Sequence, residues 1–174
     1  MLEKIKQLAK EYSNEFIEVR HHIHANPELS YEEFRTSEFI QDKLAYWGIP
    51  FEVKAKTGVV GLIQGKNPGS KVIALRADMD ALPITEENDV EYRSKNPGVM
   101  HACGHDVHTT CLLGAAKILN ATKEEWEGTI KLIFQPGEEK NPGGASYLIK
   151  EGVLENPAPG KILALHVHPG LEVG

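Results

Sequence analysis

The chain has 174 residues, with 19 Lys plus Arg against 25 Asp plus Glu, a net charge of −6, and 41% hydrophobic residues. That composition is ordinary for a folded globular domain and excludes collagen-like, coiled-coil and disordered chains. The acidic balance speaks against broad binding to nucleic acid or anionic membranes, both of which call for a basic surface.

Leu2, Ile5, Leu8, Tyr12, Phe16, Val19 and Ile23 recur at spacings of three and four, which predicts one amphipathic helix ending near Asn26-Pro27. A second helix is expected at about 31–47, with Phe34, Phe39, Ile40, Leu44 and Trp47 on its apolar side and Gly48 as its stop. Short apolar runs at 59–63 and 72–75, separated by the turn signal Asn67-Pro68-Gly69, read as strands. Helices at about 106–120 and 143–151 alternate with strands at 129–135 and 162–165. The alternation predicts an α/β fold, a mixed and largely parallel sheet flanked by helices.

No apolar run approaches the roughly 18 residues that span a bilayer, and the charged start Met1–Lys6 lacks a signal peptide's apolar stretch. With only Cys103 and Cys111 there is no disulfide framework. The expected location is therefore the reducing cytoplasm. Cys111, beside Leu112 and Ala115, reads as a small core residue.

The reactive residues follow the strands. The run at 72–75 leads into Arg76-Ala77-Asp78-Met79-Asp80, that at 129–135 into Pro136-Gly137-Glu138-Glu139, and that at 162–165 into His166-Val167-His168. Ligand sites of α/β sheets lie outside the carboxyl ends of strands, so these groups are expected to share a crevice. The segment His101-Ala102-Cys103-Gly104-His105-Asp106-Val107-His108, just before a helix, supplies thiolate, imidazole and carboxylate, the donors of divalent transition metals. Gly104 allows a tight bend, and the helix N-terminus is expected to favour the Cys103 thiolate. Each signal has a plainer reading: Asp78 and Asp80 as turn caps, Glu138-Glu139 as a solvated loop, His166 and His168 as strand-end histidines facing water. His21, His22 and His24 read as charges favoured at a helix C-terminus.

The combination of 76–83, 101–106, 135–139 and 165–167, with the opening His24-Ala25-Asn26-Pro27-Glu28-Leu29-Ser30, resembles the metal-dependent amidohydrolases, a family of aminoacylase-like enzymes. The resemblance implies a zinc-peptidase-like catalytic domain. It implies Cys103, His105, Glu139 and His166 as ligands of two divalent ions (zinc, manganese, cobalt or nickel), with Cys103 bridging. It also implies Glu138 as general base, Asp80 as the carboxylate that orients the site, and His168 outside the ligand set. The substrate would be an N-acyl amino acid or small peptide, with neither nucleic acid nor membrane as partner. Residues 1–174 would then be the N-terminal portion of the catalytic domain. A lid or dimerisation domain and one further histidine ligand would belong to a longer parent, for which homo-oligomerisation stays open and without which this piece would be weak or inactive. Two other readings stand beside it: a non-catalytic metal-binding relative, and an enzyme using Cys103 as nucleophile with His105 or His108 as base.

Overall fold

A computed structural model describes residues 1–172. Its sheet has the strand order β1-β2-β4-β3-β5, with β1 at Phe51–Lys54, β2 at Gly58–Gln64, β3 at Val72–Asp78, β4 at Thr129–Gln135 and β5 at Lys161–Ala164. The β1–β2 and β2–β4 pairs are antiparallel, whereas β4–β3 and β3–β5 are parallel. The register sets Asp78 beside Gln135 and Arg76 beside Ala164, so three parallel strands finish along one edge of the sheet. β1 has no counterpart among the predicted strands, because Phe-Glu-Val-Lys is only half buried and too short to show a clear alternation.

The helices are α1 (Leu2–Glu11), α2 (Ser13–Ala25), α3 (Phe34–Tyr46), α4 (His105–Ala121) and α5 (Gly144–Lys150). The single helix expected over 2–23 is two. Ser13 Oγ donates to the Lys10 carbonyl at 2.9 Å, and this local hydrogen bond competes with the helical ladder at the joint. The second expected helix starts later, because Tyr31 sits at φ +66°, a left-handed conformation that no helix accommodates. Phe34 is 53% exposed rather than buried, and the Lys56 ammonium lies over its ring.

The strand period of two divides the core. From β4, Leu132 and Phe134 enter the main core with Ile40, Leu44, Val59 and Leu113, beneath α2, α3 and α4. Ile133 points to the other face and meets Val60, Ala74, Leu148 and Val153 under α5. Lys131, on that same face, is buried, and its ammonium donates to the carbonyls of Val153 and Glu155. Among the described residues no helix is long and apolar enough to cross a membrane. Leu132→Ala should lower the unfolding free energy by about 3 kcal/mol, whereas Tyr46→Ala, at a position 85% exposed, should change it by less than about 0.5 kcal/mol; urea titrations of the two variants check both.

Candidate metal centre

Three strand ends and one helix start meet above the parallel edge. Asp78 closes β3 and Asp80 follows two residues later; Pro136–Glu139 follows β4; His166 follows β5; His105 opens α4. Gly104, just before α4, has φ +84°, and a Cβ there would lie 2.3 Å from the Val167 side chain. Glycine is thus required twice, for its backbone conformation and for the close approach of the His166 loop.

The sequence-predicted ligands come together. One ligand atom from each of Cys103, His105 and His166 lies within 4.8 Å of the others, and the same holds for His105, Glu138 and Glu139. Cys103 Sγ is 3.5 Å from His166 Nε2, and His105 Nε2 is 3.7 Å from Glu139 Oε1. His168 stands apart from these groups, its Nδ1 accepting the Gly170 N–H.

Asp80 organises this centre. One of its oxygens pairs with His105 Nδ1 at 3.2 Å. The other accepts the Ser30 hydroxyl at 2.6 Å and the Glu139 backbone N–H at 3.0 Å. Burial opposes the charge, yet these donors hold the Asp80 carboxyl down at about 2. His105 is the complement: burial opposes its charge, but the hydrogen bond to Asp80 and the Asp78 charge raise its pKa overall. Its Nε2 is buried without a hydrogen-bond partner among the described residues. A ring fixed through Nδ1 by a carboxylate, with Nε2 aimed at further carboxylates, has the arrangement of a metal-ligating histidine. The donor set of thiol, imidazoles and carboxylates fits a divalent transition ion.

Cys103 departs from expectation. Burial first, then the nearby Glu139, push its thiol up to about 11, the opposite of the thiolate expected from its place before a helix N-terminus. A free thiol in that field is a poor nucleophile, which weighs against the Cys103-nucleophile reading. Cys111 is likewise not a core residue: it is exposed, bordering an apolar groove between α4 and β5 with Ala115, Leu163 and Leu165.

Asp78 and His108 carry no role in the set that the resemblance implies. His108 Nδ1 pairs with Asp78 Oδ1 at 2.6 Å, and His108 Nε2 accepts the Val167 N–H at 3.0 Å. Asp78 also receives Arg76 Nη1 at 2.7 Å. Asp78, His105 and His108 lie close enough to hold an ion, but both ring nitrogens of His108 are already engaged. The geometry makes His108 a brace for the loop carrying His166.

His24 is not a helix-terminal surface charge. It is buried, with Nδ1 2.8 Å from Asp106 Oδ2 and Nε2 3.0 Å from Glu86 Oε1, and Arg20 Nε donates to the same Asp106 oxygen. His21 stacks on Tyr92 and His22 on Phe39. The Asp106 hydrogen bond above all raises the His24 pKa. His101 is buried as well, and burial pushes its pKa down to about 4.

The profile of peptidase family M20/M25/M40 matches residues 74–174, and the chain belongs to that family. It is 44% identical over 173 residues to an N-acyl-L-amino acid amidohydrolase of Geobacillus stearothermophilus, covering 99% of this chain and 46% of that protein. To thermostable carboxypeptidase 2 of Saccharolobus solfataricus it is 50% identical over 157 residues, covering 88% of this chain and 40% of that one. A dinuclear metal-binding peptidase of Bacillus subtilis superposes with a TM-score of 0.87 at 40% identity, over 93% of this chain and 45% of its own. The chain thus spans less than half the length of these relatives. The zinc-peptidase-like fold and the family expected from the motifs are both found.

His24→Ala should cost about 3 kcal/mol, because it strands buried carboxylates without their partner. A raised histidine pKa gives stabilisation fully present below about 6.5 and lost as pH rises through the higher folded value. The stability gap between wild type and His24→Ala should therefore shrink as pH rises above neutrality, as denaturant titrations across that range would record.

Proposed function

We propose that the protein to which this chain belongs hydrolyses the amide bond of N-acyl amino acids or small peptides, using divalent metal and a water molecule. The observation that carries the reading is the pairing of His105, fixed by Asp80 and carrying a free buried Nε2, with the adjacent carboxylates Glu138 and Glu139. Membership of a family whose relatives include amidohydrolases and carboxypeptidases supports it.

In this reading Cys103, His105, Glu139 and His166 would be the residues that hold the divalent metal. When bound, a divalent ion lowers the pKa of a water from 15.7 to about 7 and polarises the scissile carbonyl. Glu138, exposed at the crevice, accepts a proton from the attacking water and passes it to the leaving amine nitrogen. Asp80 keeps the His105 ring turned and the Glu139 backbone in place. Arg76, Asp78 and His108 hold the His166 loop against α4. A soft thiolate donor keeps zinc, manganese, cobalt and nickel all in play, and a reducing, cytoplasmic setting suits an unoxidised Cys103. The last ligand and the groups that select the acyl chain would come from the remainder of the longer protein, with residues 1–174 as the N-terminal portion of its catalytic domain and weak or inactive alone.

Glu138→Gln in the full-length protein should keep its metal and lose about 10²–10⁴-fold in kcat, whereas Cys103→Ser should lose bound metal. Elemental analysis beside turnover of an N-acyl amino acid separates the two effects. Metal retained with no effect of Glu138→Gln would favour a non-catalytic metal-binding relative.

A further inference from the structure

Asp80 explains only one side of the turn that carries Glu138 and Glu139. On the other side lies Glu33, the residue just before α3, fully buried, with its side-chain hydrogen bonds going to Tyr31, Thr57 and Gly137 rather than to a candidate ligand's side chain. Its Oε1 accepts the Gly137 N–H at 2.8 Å and the Tyr31 N–H at 2.9 Å. Its Oε2 accepts the hydroxyl of buried Thr57 at 2.7 Å. Gly137 immediately precedes Glu138, has φ +55°, and a Cβ there would lie 2.3 Å from the Tyr31 ring. The Tyr31 hydroxyl then donates to the Lys140 carbonyl at 2.9 Å, just past Glu139. One carboxylate therefore fixes both the turn and the aromatic ring that limits it.

We propose that Glu33 is a positioning residue for the proposed reaction, holding the Gly137–Lys140 turn so that Glu138 faces the crevice and Glu139 the ligand cluster. A buried carboxylate costs several kcal/mol unless its oxygens are satisfied. This one is satisfied by three donors: the Gly137 N–H of the turn, the N–H of Tyr31, whose ring limits the turn, and the Thr57 hydroxyl just before β2. The requirement is reach and acceptor geometry, not charge. Burial pushes the Glu33 carboxyl pKa up, and an amide of the same shape can accept both N–H groups with its oxygen while donating to Thr57 through its nitrogen.

The inference rests on the role given to Glu138, and the test separates the two. In the full-length protein, Glu33→Gln should keep kcat within a few fold. Glu33→Asp, one methylene shorter, withdraws the acceptor from Gly137 and should lower kcat about 100-fold with KM little changed, since misplacement by about 1 Å costs that much. Amide hydrogen exchange, followed in the metal-free protein, should quicken at Gly137 in Glu33→Asp but not at the β4 amides. Wild-type kcat or unchanged Gly137 exchange in Glu33→Asp would overturn the proposal, as would loss of kcat in Glu33→Gln. Faster exchange at Gly137 in Glu33→Asp together with a silent Glu138→Gln would instead show that the turn is held by Glu33 and that Glu138 is not the base.

Discussion

The Asp80 carboxylate ties together three parts of the chain that are distant in sequence. Ser30 comes from the loop after α2, His105 from the start of α4, and Glu139 from the turn after β4, and all three meet its two oxygens. Such a group cannot be buried alone; ionised and out of water, it must be surrounded by donors. The donors here are the groups that a metal centre needs held still. The energetic requirement of one buried charge and the geometric requirement of the site are therefore met by the same contacts.

The parallel half of the sheet makes this convergence feasible. β4, β3 and β5 run the same way, with β5 ending two residues short of β3, so residues just past each strand reach one crevice without long excursions. The antiparallel β1 and β2 lie away from it and serve the core. Around the centre, a second tier of buried polar pairs braces the elements against one another. His24, Asp106, Glu86 and Arg20 join α2 to the start of α4, and Arg76, Asp78 and His108 join β3 and α4 to the loop after β5.

What was legible in the sequence was whatever local pattern controls. Apolar periodicity gave four of the five strands, and the strand-end position of Asp80, Glu138, Glu139 and His166 pointed to their meeting. What was not legible depended on contacts far apart in the chain. Nothing near His24 in sequence announces Asp106, 82 positions away, or Glu86, 62 away. Glu33 looks like any acidic residue at a helix start until Gly137, 104 positions on, donates to it. Cys111 sits on an apolar helix stretch, yet its side chain borders a groove with Ala115, Leu163 and Leu165 rather than the core.

The behaviour of Cys103 follows from the charge distribution of the whole centre. The charges of Glu139, Asp78 and Glu138 act on it, and the Arg76 guanidinium pairs with Asp78. Burial first, and then that field, disfavour another negative charge, and together they push the thiol up to about 11. The same field attracts a cation, and a divalent ion bound beside the sulfur would reverse the local balance in favour of the thiolate. A nucleophilic cysteine needs a positive environment supplied by the protein itself. Here the protein supplies the opposite, and a site built from excess negative charge around a soft donor is matched to a metal rather than to covalent catalysis.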